Sequence, residues 1–179
     1  MKIKNLVMPV AIACLSSLAI NVTTQQSVAA KPPTGMLNSA QISKLKKLRI
    51  KIAVPTYIPS GFRVANVRTD NSNSGPEYTI LYRNANNSCF AIESVHGGVG
   101  DIDAEFNLPI NSPLFGKSTL FYEKQDGGKN RSLMVAWMEK NDQFYRLAGL
   151  GAMNWPSTCR NIVPQQAVRI TESLQYLNP

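Results

Sequence analysis

Short runs of β-branched and aromatic residues, separated by tight turns, fill most of the chain after Pro59 and restrict its fold more than any other feature. Such runs are typical of β-strands. The turns between them are rich in Asn, Asp and Gly, which tolerate positive φ or bond their own backbone. Strands joined this tightly pair in antiparallel order. The pattern predicts six strands, over residues 62–69, 77–83, 88–95, 117–124, 131–140 and 143–150.

The last two of these strands are apolar on both faces. In the strand 131–140, one face is predicted to carry Leu133, Val135 and Trp137, and the other face Met134, Ala136 and Met138. A strand with two apolar faces belongs in the middle of a sheet that has a helix packed on one side. We therefore expect both strands to lie at the centre of the sheet.

Two amphipathic segments flank the strands. The first is a predicted helix from an N-cap at Ser39 to about Arg49, with Ile42, Leu45 and Leu48 on one face. The second begins at Pro164, a favourable first-turn residue, and is predicted to end at Asn178-Pro179. Its apolar stripe would consist of Ala167, Ile170, Leu174 and Leu177. The predicted fold class is α+β: an antiparallel β-meander of about six strands packed against N- and C-terminal helices.

The first thirty residues have the three parts of a signal peptide. Lys2 and Lys4 supply a positive start, the stretch 6–20 is mainly apolar, and small residues precede the end at Ala30. The apolar stretch is shorter than the roughly 20 residues that span a bilayer. We expect cleavage between Ala30 and Lys31, a flexible leader over 31–38, and one domain over 39–179 in the periplasm or secreted medium.

A lipoprotein box is the alternative interpretation of the same segment. Ala11-Ile12-Ala13 precedes Cys14, which would then become an acylated N-terminus that anchors the protein to a membrane. The position three before the cysteine holds Ala instead of the usual Leu, and the apolar region before it would be short. Release by cleavage after Ala30 is therefore the preferred prediction.

The remaining cysteines, Cys89 and Cys159, form an even pair in a chain expected to reach an oxidising compartment. That arithmetic predicts a structural disulfide. Closing a loop of about 70 residues would stabilise the fold by up to about 4 kcal/mol. A buried free thiol pair or a redox site are the alternatives, and the lack of a Cys-x-x-Cys motif disfavours the redox site.

Positive charge is concentrated in one short stretch. Of the 19 Lys and Arg residues, Lys2 and Lys4 belong to the signal peptide, so 17 remain against 11 Asp and Glu, a net charge of +6. Such an excess favours anionic lipid head groups or cell-wall polymers, while export argues against nucleic acid. Five cations lie within eight residues: Lys44, Lys46, Lys47, Arg49 and Lys51. They predict a contact surface for anionic lipid, although a solvated helix face has the same pattern.

A long segment without a strand pattern, 96–116, is the second candidate site. A connection of about twenty residues with little regular structure is often a lid or a binding loop. The residues proposed to form this binding loop are His96, Asp101, Asp103, Phe106 and Phe115. The alternative places the apolar residues of the segment in the core.

The sequence contains no recognisable catalytic set. His96-Gly97-Gly98 resembles an esterase oxyanion loop, but a Gly-x-Ser-x-Gly elbow and a second histidine are both missing. Asp101 and Asp103 alternate as Ca²⁺ ligands do, yet the glycine of an EF-hand turn is replaced by Phe106. One histidine leaves no ligand set for zinc. We therefore predict a protein that is not an enzyme and has no metal or cofactor.

Two segments carry a family resemblance. Val54-Pro55-Thr56-Tyr57-Ile58-Pro59-Ser60-Gly61-Phe62 resembles the Pro-x-Tyr-Leu-Pro-x-Gly-Phe/Tyr opening of an uncharacterised family of exported bacterial domains. The stretch 137–149 is similar to that family's Trp strand, hairpin and aromatic strand, and 170–174 to its closing helix. The family is distantly similar to periplasmic lipoprotein carriers and envelope-stress sensors, which implies a curved antiparallel sheet that cups an apolar ligand. The segment 96–116 and the cysteine pair depart from the family's pattern.

These observations lead to a functional hypothesis. The predicted function is that of a non-enzymatic envelope protein that binds an apolar or anionic ligand, or a protein partner, through the sheet face and the 96–116 segment. The alternative is a structural or regulatory interaction module without a small ligand. A third class, an envelope hydrolase, would depend on His96 as its base.

Overall fold

The computed structural model describes residues 34–97, 100, 104–124, 130–150 and 158–177. The chain forms two helices and eleven strands in these ranges. In chain order they are α1 Ser39–Lys46, β1 Ala53–Pro55, β2 Arg63–Ser72, β3 Gly75–Arg83, β4 Ser88–Val95, β5 Phe106–Ser112, β6 Gly116–Lys124, β7 Asn130–Val135, β8 Met138–Lys140, β9 Gln143–Ala148, β10 Arg160–Asn161, α2 Pro164–Glu172 and β11 Leu174–Tyr176.

One antiparallel sheet carries most of the fold. Its main path runs β2-β3-β4-β9-β7-β6-β5, so two three-stranded meanders are joined through β9. β8 adds to β9, and the short β10 pairs with β4 in parallel. β1 and β11 form a separate antiparallel ribbon. The predicted α+β fold with meandering antiparallel strands is confirmed, as is the central position of the strand that follows Asp142.

Alternate side chains of the central strands build the core. We call the face that they form the inner face, and the opposite one the outer face. Tyr78, Ile80 and Tyr82 of β3 lie beside Ser94, Ile92 and Phe90 of β4 in register, and β9 continues the row with Tyr145 and Leu147. These side chains are buried together with Leu45 of α1 and Ile170 of α2. The inner face is thus covered by the protein's own helices and by the β1–β11 ribbon.

The segment 106–112 is a strand, so the predicted irregular connection over 96–116 is wrong there. β5 pairs with β6 along its whole length, from Phe106 opposite Tyr122 to Ser112 opposite Gly116. Pro109 in its middle argues against a central strand, since proline lacks the N–H that a ladder needs. β5 lies at the edge of the sheet, which is where a strand tolerates proline.

The predicted strand 131–140 is interrupted after Val135, and the interruption shifts the alternation by one residue. Leu133 and Val135 are buried on the inner face, but the next inner residue is Met138, which lies opposite Tyr145. Trp137 instead packs against Arg146 of the outer face. The prediction that Trp137 shares a face with Leu133 is therefore wrong.

Both helices are shorter than predicted. α1 ends at Lys46, with Lys47 as its C-cap and Arg49 in the left-handed region at φ 57°. α2 ends at Glu172, because Leu174 joins β11 and pairs with Pro55 of β1. Leu174 is buried in the strand, as the helical stripe also required, so the apolar pattern alone does not distinguish a further helical turn from a strand.

Cys89 and Cys159 form the predicted disulfide, with Cα atoms 5.6 Å apart. A disulfide is compatible with an oxidising, exported compartment. Neither α1 nor α2 has the length and apolarity needed to cross a bilayer. The proposed cleavage site at Ala30 and Lys31, and Cys14 of the alternative lipoprotein box, lie outside the described residues.

Candidate functional site

The candidate site is the exposed face of α1, which begins with a reciprocal capping box. The side chain of Asn38 accepts a hydrogen bond from the Gln41 amide, and the Asn38 amide donates to Gln41 Oε1, both over 2.9 Å. The N-cap is therefore Asn38, one residue before the predicted Ser39. Two backbone donors that the first helical turn leaves without partners are satisfied in this way.

The apolar stripe of α1 orients its charged residues outward. Leu45 and Leu48 are buried in the core and Ile42 is half-buried. All five predicted cations are exposed, two of them on α1 and three in the segment that follows it: Lys44, Lys46, Lys47, Arg49 and Lys51. We call this set the α1 basic surface. Their predicted contact with anionic lipid stays a prediction.

Three tyrosines of the inner face hold the segments on either side of α1. Tyr82 Oη donates to the Gly35 carbonyl at 2.9 Å, and Tyr145 Oη donates to the Lys51 carbonyl at 3.0 Å. Tyr78 Oη accepts from the Ala53 amide at 2.8 Å. Burial raises the pKa of all three phenols, so each stays protonated and able to donate. The sheet thereby fixes the position of α1.

Glycine at position 35 allows the first of these contacts. Its φ is +55°, and a Cβ there would lie 2.9 Å from Tyr82 Oη and 2.8 Å from Val54 Cβ. Both the backbone conformation and the space exclude a larger residue. Gly35 and Leu37 are buried although they belong to the predicted leader 31–38.

The cations of the α1 basic surface differ in their contacts. Lys44 Nζ donates to the Val67 carbonyl of β2 at 2.9 Å, and Lys51 Nζ lies 6.0 Å from the centre of the Tyr176 ring. Within the described ranges the ion pair that forms is Glu93 with Arg146, so no described carboxylate neutralises this surface. Its charge is therefore available to an external anion.

A groove of about 470 Å³ lies beside the α1 basic surface, and Lys44 contributes to its wall. Arg68, Asp70 and Glu77 also line it, together with the buried Glu93. The lining has both signs of charge, in contrast to α1. This groove extends the polar surface along the sheet but adds no net positive potential.

The residues of the predicted binding loop do not form one cluster of side chains. His96 directly follows β4, and its Nδ1 lies 3.0 Å from the Asp142 carbonyl and 3.2 Å from Gln143 Nε2. Phe106 begins the edge strand β5 and stacks on Tyr122 at 5.4 Å. Phe115 lies in the turn after β5 and packs against Tyr145 at 5.0 Å. Asp101 and Asp103 lie outside the described residues.

The side chain of His96 lies among polar neighbours. Gln143 Oε1 accepts a hydrogen bond from Ser94 Oγ at 3.0 Å, so Ser94, Gln143 and His96 form a polar row at one end of the inner face. The ring of His96 also fills the space where a Cβ of Gly75 would lie, 2.6 Å from the His96 Cβ. In the described part of the chain, no three His, Cys, Asp or Glu side chains are grouped to hold a metal ion.

Sequence reasoning missed the tyrosines that position α1. Tyr78 is separated from its backbone partner by 25 residues, Tyr82 by 47 and Tyr145 by 94. Nothing in the local pattern reveals such contacts, because alternation predicts only that these tyrosines face inward. A row of three inward tyrosines was nevertheless a usable signal, since a buried phenol needs a hydrogen-bond partner.

The chain matches no protein-family model, no curated protein and no solved structure. The resemblance of 54–62 and 137–149 to a family of exported domains therefore stays a prediction.

Proposed function

We propose that this protein is an exported, non-enzymatic binding module that uses the α1 basic surface to contact anionic lipid in the cell envelope. The observation that carries the proposal is the exposure of all five cations between Lys44 and Lys51 without a described carboxylate partner. The fixed position of α1 supports it, because an ordered surface loses little entropy on binding. The signal-peptide pattern and the disulfide support the exported location.

An anionic ligand fits the observations better than an apolar one. The inner face, where a carrier would hold an apolar ligand, is filled by side chains such as Ile80, Ile92 and Leu147 that are fully buried by the protein itself. Phe115 packs on Tyr145 and Tyr176, which gives it a role in the core. We therefore assign binding to the charged surface rather than to Phe106 and Phe115.

Each Lys or Arg close to an anionic membrane contributes about 1 kcal/mol. Five such charges give moderate, reversible binding that salt screens over a Debye length of about 10 Å at 0.1 M. The protein would accordingly associate with lipid head groups without inserting into the bilayer. Its contact would favour the leaflet richest in anionic lipid.

Co-sedimentation with phosphatidylglycerol vesicles tests this proposal. Lys46→Gln with Lys47→Gln removes two exposed charges, while Lys117→Gln with Lys140→Gln removes two exposed charges outside α1 and serves as the matched control. Loss of about 2 kcal/mol should weaken vesicle binding about thirtyfold in the first variant. The control should bind within a factor of two of the natural protein.

Equal losses of vesicle affinity in both variants would mean that binding depends only on the net charge of the protein, which contradicts a specific α1 surface. Absence of binding to phosphatidylglycerol at low salt would reject the lipid proposal. The structural or regulatory interaction module would then be the favoured function.

A further inference from the structure

We propose that a second site, at the other end of β2 and β3, binds the phosphate group of a small soluble phosphate ester. A cavity of about 450 Å³ opens there between the start of β2 and the turn that joins β3 to β4. Its polar lining consists of Arg63, Arg83, Asn84 and Asn87, without an acidic side chain. The site shares no residue with the α1 basic surface and does not depend on the function proposed for it.

The two arginines lie directly opposite each other in the β2–β3 pair. Like charges in this arrangement repel and destabilise a sheet. The described residues place no carboxylate within ion-pair distance of either guanidinium, since their ion pair is Glu93 with Arg146. The fold therefore keeps an unfavourable pair of charges beside an open cavity, and an anion bound between them would make the interaction favourable.

Arg83 is already held in one orientation. Its Nε donates to Asn87 Oδ1 at 3.0 Å, and its Nη2 donates to the same oxygen and to Thr158 Oγ1, the latter at 3.2 Å. Asn87 itself adopts φ 59° in the turn. These contacts leave both N–H groups of Nη1 without a partner among the described residues. A side chain fixed in this way binds a ligand with a small entropic cost.

The disulfide contributes to this arrangement. Cys89 faces Arg83 across the β3–β4 pair, and its bond to Cys159 holds the strand β10 beside β4. The Arg160 amide donates to the Asn87 carbonyl at 2.8 Å. Thr158, next to Cys159, is thereby kept within reach of Arg83. The cross-link thus supports the geometry of the arginine as well as the stability of the fold.

The chemistry of the lining points to phosphate. Planar guanidinium groups form paired hydrogen bonds with phosphate oxygens. A phosphate monoester carries about −1.5 to −2 charges at neutral pH, which matches two arginines better than a single carboxylate does. The cavity exceeds the volume of inorganic phosphate and falls in the range typical of small-molecule sites. The Oδ1 atoms of Asn84 and Asn87 already accept internal hydrogen bonds, but their Nδ2 groups can donate to the rest of the ligand.

Isothermal titration of the purified protein with inorganic phosphate and with glycerol 3-phosphate tests this inference. At constant ionic strength, each probe should bind saturably at one site per chain. Arg63→Gln and Arg83→Gln should each weaken binding at least tenfold, while Lys117→Gln, which removes one exposed charge elsewhere, should leave it unchanged. Arg63→Gln should also raise the melting temperature of the ligand-free protein, because it removes the repulsion from Arg83.

Three results would overturn the inference. The first is no saturable binding of either probe at millimolar concentration, and the second is an equal loss in the Lys117→Gln control. The third is binding to phosphatidylglycerol vesicles that depends on Arg63 without binding of the soluble probes, which would assign the arginines to a lipid head group. Failure of this site would leave the α1 proposal untouched, since Arg63→Gln retains all five α1 cations.

Discussion

The outer sheet face contains a buried ion pair between Glu93 of β4 and Arg146 of β9, which lie opposite each other. Glu93 is only 3% exposed, and the guanidinium of Arg146 stacks on the Trp137 ring at 3.9 Å. Burial raises the pKa of the Glu93 carboxyl above its ordinary value of 4.5, and attraction to Arg146 opposes that rise only in part. Ionisation of Glu93 therefore destabilises the folded state relative to the unfolded state.

The expected consequence is a pH dependence of stability that Glu93→Gln removes. Between 4.5 and its raised pKa, the folded Glu93 binds protons more strongly than the unfolded one. The free energy of unfolding must then fall as pH rises through this window. Urea unfolding at successive pH values should show a steeper decline in the natural protein than in Glu93→Gln, whatever offset arises from the loss of the ion pair.

Glu139→Gln is the matched control for this test, since Glu139 is exposed. Its stability profile should run parallel to that of the natural protein. Parallel profiles for Glu93→Gln as well would show that the buried carboxylate is not desolvated as described.

Among the elements, α1 and the β1–β11 ribbon depend on the sheet through the tyrosines of the inner face. Tyr78→Phe keeps the ring but removes the acceptor of the Ala53 amide, which is buried. An unsatisfied buried donor costs about 1–3 kcal/mol. Urea unfolding should show a loss of this size, and amide exchange at Ala53 should accelerate.

Tyr122→Phe is the corresponding control, because it keeps the ring that stacks on Phe106 and should change stability little. If Tyr78→Phe were as stable as this control, the hydrogen bond to Ala53 would have no part in holding β1. The hydrogen bonds from Tyr82 to Gly35 and from Tyr145 to Lys51 would remain to position α1.

The elements also show how far sequence patterns reach. The segment 106–112 alternates as a strand does, but Pro109 in its middle argued against one. Proline is compatible with a strand at the edge of a sheet, and the sequence of the segment does not show whether it lies at an edge. The end of α2 could not be predicted for a similar reason. Leu174 continues the helical stripe, and its actual partner, Pro55 in β1, is remote in sequence.

The two candidate sites differ in the same respect. The cations of the α1 basic surface could be found in the sequence because they lie within eight consecutive residues, in the last turn of α1 and just after it. The Arg63–Arg83 pair was not, since it exists only in the register that places these residues opposite each other. A shift of one residue in that register would move one arginine to the other face.

For the whole molecule, the disulfide is the link whose consequences are easiest to measure. It joins β4 of the first meander to the segment before α2, 70 residues away. The even number of cysteines left after the signal peptide predicted this bond. The order of the strands could not be predicted, because β9 returns to lie between β4 and β7. The cross-link therefore connects parts of the sheet that chain order separates.

Replacing Cys89 and Cys159 together by Ala should lower the free energy of unfolding by about 4 kcal/mol, because a loop of 70 residues is no longer closed in the unfolded chain. Urea unfolding measures this loss. Reduction of the natural protein is the control: it should cause the same loss if the cross-link is the cause, and a smaller one if repacking of the buried side chains contributes. A loss far smaller than this would mean that the unfolded chain is already compact in this region, so that the cross-link restricts it little.

The cross-link also keeps Thr158 beside Arg83. Affinity for glycerol 3-phosphate should therefore fall in the variant with Ala at both cysteine positions, measured under conditions where it is still folded.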